Sequence, residues 1–360
     1  MITNDVILSL QQVHGLGTRR IRAILNTFPN VTDWGDLLAC DLRTVEGISS
    51  TLMDRFSTID QGENRRILDR AHAVGASFVH YWSTDYPEQL KVLYDAPVAL
   101  YVRGAGKIEE FYLGVVGTRK PTEYGRASTR LLAQELIAAG LGIVSGFARG
   151  IDTLAHRTAL EVGGATIAVM GCGVDVVYPP ENRKIFQSLL ESGLVISEYP
   201  PGTQPDGHHF PQRNRIISGL SLGTLVVEAG QNSGALITAF HSLDIGREVF
   251  AVPGPIDSPK SAGCNQLINR GAKLVMRIED ILAELSPPFA AVPGEQIDLL
   301  QGLSDAERGV MEYLDRRPVP IDKIAEDLQW NISDLLGTLL ILEMQGLVSQ
   351  TAGKQFARSR

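Results

Sequence analysis

Between residues 112 and 252 the chain alternates six short apolar runs with segments of helix length, and no other feature limits its fold so strongly. The runs fall at 112–116, 142–144, 166–170, 194–196, 224–227 and 249–252. They lack polar alternation, the pattern of strands buried on both faces of a sheet. Between them lie segments such as 125–139, 153–162, 182–192 and 234–245, each long enough for a helix. Strand and helix in turn predict an α/β domain, a mainly parallel, doubly wound, Rossmann-like sheet with helices on both faces. Residues 97–102 predict one more strand ahead of this core.

The 360 residues are enough for two or three such bodies. Residues 1–75 are helical in pattern, with apolar positions recurring at Ile21, Ile24, Leu25 and Phe28. Two related turns, His14-Gly15-Leu16-Gly17 and Glu46-Gly47-Ile48-Ser49, each follow a Val and open a new helical stretch. Paired helix-hairpin-helix units have this shape, and their glycine turns expose amides that can meet phosphates. Thr18, Arg19, Arg20 and Arg22 suit that use, while a small packing module fits the same residues equally well. The extended α/β domain is expected over 76–285, a proline-marked linker over 286–298 and a winged helix-turn-helix over 299–360. The segment 332–345, in the position of a recognition helix, contains no Lys or Arg and carries Asp334 and Glu343. A groove-reading helix needs cations, so this one is expected to pack or to contact protein.

In an open α/β sheet the ligand sits where strand ends feed helix N-termini. In this chain those ends are rich in glycine and arginine: Gly117-Thr118-Arg119-Lys120, Ser145-Gly146-Phe147-Ala148-Arg149-Gly150, and Phe210-Pro211-Gln212-Arg213-Asn214-Arg215. Ser233-Gly234-Ala235-Leu236-Ile237-Thr238 follows the fifth run, and Arg183 and Lys184 follow the third. Glycine lets backbone approach a ligand, free helix amides favour an anion, and arginine forks onto phosphate. One such loop is ordinary turn chemistry; their recurrence along one edge predicts a phosphate site. The formal net charge is −8, so that site must be a local cluster in an acidic body.

Other chemistries find little support. The G-x-G-x-x-G dinucleotide fingerprint fails at its second glycine, and a Walker A lysine is absent. Ser145 is not in a G-x-S-x-G context. Asp152 and His156 share a helix face, a spacing more common for surface pairs than for metal ligands; Glu198 and Glu228 either act as acids or bond backbone amides and arginines. Cys40, Cys172 and Cys264 form neither a disulfide framework nor zinc spacing. No cofactor, metal or catalytic residue is expected. Without a signal peptide or membrane-length apolar run, the protein is expected to be cytoplasmic.

The strand-end motifs, together with Phe250-Ala251-Val252-Pro253-Gly254, resemble the DprA/Smf (DNA-processing protein A) family over about residues 82–285. Thr118 stands where many relatives have Ser, which keeps the hydroxyl. The resemblance implies a sterile-alpha-motif-like N-terminal part and a winged-helix tail. It also implies a non-catalytic, dimeric protein that binds and protects incoming single-stranded DNA. Such a protein helps load the RecA recombinase in natural transformation. Arg119 is then the main phosphate anchor, with Ser145, Gly146, Arg149 and Gly150 lining the same pocket. Arg183 and Lys184 match a basic position, and Phe186 one turn on is placed to stack a base, with core packing its commoner fate. Phe210, Arg213, Asn214, Arg215, Ser233, Gly234 and Thr238 complete the expected contacts. The rival readings are a phosphoribohydrolase-like enzyme, whose P-G-G-x-G-T-x-x-E stretch is missing, and a module that senses a free nucleotide.

Overall fold

The structure is a computed structural model that describes residues 2–108, 111–285, 304–314, 318–344, 347–351 and 354–358. It divides into two compact units, Met1–Ala290 and Ala291–Arg360. The expected linker, 286–298, lies outside the described residues.

The first unit opens with five helices: α1 (Asn4–Gln12), α2 (Thr18–Thr27), α3 (Trp34–Ala39), α4 (Ser50–Phe56) and α5 (Gln61–Ala73). Side chains of Thr3, Asp33, Ser49 and Asp60 cap four of them, each accepting a backbone amide of the first turn. α2 instead starts at Gly17, which offers no side chain to cap it. The two glycine turns form as expected, with φ +85° at Gly15 and +83° at Gly47. These helices close a core around Leu10, Ile24, Leu25, Trp34 and Phe56, and Val98 and Ala99 complete it. Leu8 and Ile67 pack into a further cluster with Tyr101, Phe147 and Phe186.

The sheet has nine strands in the order β1-β2-β6-β5-β4-β3-β7-β8-β9. They are β1 (Ala76–His80), β2 (Ala99–Arg103), β3 (Tyr112–Val116), β4 (Gly142–Ser145), β5 (Thr166–Met170), β6 (Leu194–Ser197), β7 (Gly223–Val226), β8 (Glu248–Ala251) and β9 (Lys273–Leu274). β1 and β2 pair antiparallel and β2 joins β6 antiparallel, while β3 to β9 are all parallel. Helices α6 (Glu123–Ala138), α7 (Ile151–Glu161), α8 (Arg183–Ser192), α9 (His209–Leu220), α10 (Gly234–Asp244), α11 (Ala262–Asn269) and α12 (Ile278–Leu282) cover it. Successive residues of a strand feed opposite faces. Tyr112 and Val116 of β3 enter the cluster holding Ile216, Ile217 and Ala239, whereas Leu113 and Val115 enter that of Leu132, Leu136 and Ala155. Both faces are therefore apolar, which explains runs without polar alternation. From β3 the chain turns to β4, while β7 lies on the other side of β3, so the order reverses there and opens a crevice at the carboxyl ends.

The second unit contains α13 (Asp305–Tyr313), α14 (Ile321–Leu328), α15 (Ile332–Met344) and a small sheet of β10 (Val319–Pro320), β11 (Val348–Thr351) and β12 (Gln355–Arg358). β12 sits between the other two strands. Leu335, Leu339 and Leu342 of α15 are buried, and Leu336, Leu340 and Ile341 are exposed. An apolar, cation-free outer face suits protein contact rather than a DNA groove. Among the described residues no helix is long and apolar enough to cross a membrane.

Candidate nucleic-acid interface

A cavity of about 940 Å³ lies over the reversal point of the sheet. One wall is the loop after β3. A Cβ at Gly117 would lie 2.6 Å from Ile151 Cγ1 and 3.0 Å from the Glu228 carbonyl, so only glycine fits. The Thr118 amide donates to that carbonyl at 2.7 Å, and the Thr118 hydroxyl accepts the Lys120 amide at 3.3 Å. The turn is thereby closed on itself and Arg119 projects from it. Arg119 is exposed and forms no ion pair with a described acid. Gly150, at φ +82°, presses on the same loop: a Cβ there would sit 2.3 Å from the Thr118 carbonyl oxygen.

The opposite wall is the N-terminus of α10. Ser233 caps it by accepting the Ala235 amide at 3.3 Å, and Asn214 of α9 donates to the Gly234 carbonyl at 3.4 Å. Ser233, Gly234 and Thr238 line the cavity with Asn214 and Phe210. Phe210 lies 5.7 Å from the Tyr178 ring, which gives the cavity an aromatic side. Lys260 closes a third side, its ammonium donating to the Lys120 carbonyl at 2.6 Å.

The floor is electrostatic. Arg213 is 4% exposed and donates to the carbonyls of Gly146, at 2.5 Å, and Val169. A Cβ at Gly146 would lie 2.6 Å from the Arg213 guanidinium, so this glycine makes room for the arginine. Burial pushes the Arg213 guanidinium down to about 10, still cationic at neutral pH, with Asp152 acting in the other direction. Burial pushes the Asp152 carboxyl up to about 6, against the pull of Arg213 and of the Ala148 and Gly146 amides. A fixed charge beneath a partly dry cavity acts more strongly than one in water.

Several expected contacts lie elsewhere. Ser145 is fully buried and donates to the Val115 carbonyl at 2.5 Å, tying β4 to β3. Arg149 is exposed but paired with Glu181. Arg183 and Lys184 are exposed on α8, away from the cavity lining. Phe186 is 2% exposed and packs edge-on against Phe147, 6.0 Å between ring centres, so it cannot stack a base. Arg215 is held by Glu198 at 2.8 Å and Asp95 at 3.0 Å and lines a different cavity. A buried arginine paired with two carboxylates has no charge left for a phosphate. Glu228 accepts the Thr122 amide at 2.8 Å and holds the start of α6. His156 is buried on Thr166 at 2.8 Å, and burial pushes it down to about 3, so it is neutral. Among the described residues no group of three or more His, Cys, Asp or Glu is placed to hold a metal. Sequence reasoning left out Lys260 and Tyr178. A Lys just beyond the glycine of the sixth strand end was the available signal for the first.

A family model described as DNA recombination-mediator protein A matches residues 77–286, and a DprA winged helix domain model matches residues 297–354. The chain belongs to the DprA/Smf family. Protein Smf of Synechocystis is 33% identical over 98% of both chains. DNA processing protein DprA of Streptococcus pneumoniae is 41% identical over 79% of this chain and 98% of its own. The crystal structure of that family member superposes with a TM-score of 0.70, at 38% identity, covering 79% of this chain and 99% of the other. DNA processing protein A of Helicobacter pylori, described for its single-stranded DNA binding mode, gives 0.53 at 31% identity over 59% and 95%. DprA/Smf membership thus spans the α/β sheet and the winged helix, both of which the sequence pattern predicted.

Proposed function

We propose that the cavity at the sheet reversal binds the backbone of single-stranded DNA and that the protein serves recombination without catalysing a reaction. The observation that carries this reading is Arg119. It is exposed, forms no ion pair with a described acid, and lines the cavity with Lys260, the N-terminus of α10 and the buried Arg213. These groups recognise charge and shape but not base edges, so binding is sequence-tolerant and salt-sensitive. The single-strand preference draws on the Helicobacter pylori relative.

We extend the reading to a homodimer that hands its strand to the RecA recombinase. Ile237, Phe240 and Leu243 support the pairing: they form an exposed apolar stripe on α10 at spacing i, i+3, i+6. The test is a titration of oligo-dT, duplex DNA and AMP at two salt concentrations. The reading requires oligo-dT to bind most tightly and to weaken with salt. Tight AMP binding without length preference would favour the nucleotide-sensor alternative, and release of adenine would favour the hydrolase.

A further inference from the structure

We propose a second single-strand contact, a cation–aromatic platform made by Arg19 and Tyr94, where a strand leaving the groove is caught by the N-terminal helices. This inference rests on the groove being the primary strand site. The Arg19 guanidinium lies 3.8 Å from the centre of the Tyr94 ring. Tyr94 is 68% exposed, an unusual state for a tyrosine, and Arg19 is exposed and forms no ion pair with a described acid. The platform is built rather than accidental. Arg22 donates to the Tyr94 carbonyl, which fixes the loop, and Lys91, beside Tyr81, is occupied by Glu88. An aromatic face with a planar cation on it is the surface on which bases stack and phosphates are neutralised.

The platform borders a second cavity, on the other side of α9 from the groove. Helix α9 divides two cavities: Pro211, Arg213 and Asn214 line the first, while Gln212 and Arg215 line a second of about 600 Å³. The far side of the second cavity is formed by Gly17 and Thr18, directly before Arg19, and by Asp95, directly after Tyr94. A Cβ at Gly17 would meet nothing within 4 Å, so the entrance to α2 is open. The acids of this cavity, Asp95 and Glu198, share one cation, Arg215, so the strand is expected to pass along the α2 side rather than over them. α2 itself has three arginines and no acid. The cations of α2 therefore favour the same polyanion that the groove is proposed to bind. Arg20 serves the local fold instead, donating to the Gly15 carbonyl at 3.1 Å and lying against Gly47, so that it holds the two glycine turns together.

The experiment is fluorescence anisotropy of the full chain with oligo-dT of about 6 and about 25 nucleotides, lengths that fill the groove alone or reach beyond it. Tyr94→Ala and Arg19→Ala are expected to weaken the longer strand about fivefold or more, the low end of base stacking, and to leave the shorter one unchanged. Tyr94→Phe keeps the ring and is expected to restore binding, and unchanged short-strand binding by Tyr94→Ala excludes a fold defect. A 5-iodouracil-labelled long strand is expected to crosslink to Tyr94. Wild-type affinity of both alanine variants for the long strand, or equal losses for both lengths, would overturn the platform. Arg119→Ala separates the two claims. If it binds both lengths like the wild type while Tyr94→Ala does not, the groove assignment fails and the platform stands alone.

Discussion

Gly150→Ala tests whether two strand-end loops act as one device. Gly150 sits at φ +82° and ψ −122°, a region that an L side chain enters only at a cost of roughly 1–3 kcal/mol. Its Cβ would also meet the Thr118 carbonyl oxygen at 2.3 Å and the Arg119 carbonyl carbon at 2.7 Å. Ordinary carbon–oxygen contacts begin near about 3.3 Å, so one loop must move by about 1 Å. Both neighbours are backbone, so no side chain can rotate away, and the overlap adds to the conformational cost. A total of about 2–4 kcal/mol corresponds to a fall in Tm of roughly 3–7 °C for the unit Met1–Ala290. The displaced loop carries Arg119, so affinity for oligo-dT should fall with stability. Thermal unfolding and anisotropy titration on one preparation measure both. Wild-type stability together with wild-type affinity would refute the contact between the loops and the geometry derived from it.

Two further outcomes follow from other groups. The folded-state pKa of Asp152 is raised from the ordinary 3.8 to about 6, so the native state binds the extra proton between these values and loses stability as pH rises through them. Buried His156, pushed down to about 3, acts oppositely because its unfolded form takes up the proton first. The difference between Asp152→Asn and wild-type unfolding curves isolates the Asp152 contribution: the variant should gain relative stability from pH 3.8 to 6, by up to about 3 kcal/mol. A pH-independent difference would contradict the buried-acid assignment. Phe240→Glu places a charge in the exposed stripe of α10 and is expected to give monomers by sedimentation velocity without lowering Tm.

The sheet was legible because its strands are buried on both faces and its helices fill the intervals, so period and length agreed. β1, β9, β10 and β12 escaped notice: β1 is only partly buried, β9 and β10 are two residues each, and β12 is a short strand in a three-stranded wing. The glycine- and arginine-rich strand-end loops were legible, and Arg119 lines the cavity as expected, but Arg213 and Arg215 were not told apart. Arg213 and Arg215 are two residues apart, which on a helix turns them to nearly opposite sides. One therefore lies under the groove and the other in the cavity beside the N-terminal helices. Sequence spacing on α8 likewise placed Phe186 near Arg183 and Lys184, but its side chain points into the core with Phe147. Thr118 and Arg119 line the cavity because they lie in a loop at the carboxyl edge, while Gly150 packs against the backbone of that loop.

The most direct measurement is the salt dependence of oligo-dT binding by Arg119→Ala. Arg119 is exposed and pairs with no described acid, so its removal should leave the unfolding transition unchanged. One lost phosphate contact should flatten the slope of log K against log salt by about 0.7 and weaken binding to all single strands alike. Loss of a charge-assisted, forked hydrogen bond implies about 10-fold weaker binding or more at low salt. An unchanged slope and unchanged affinity would contradict the account.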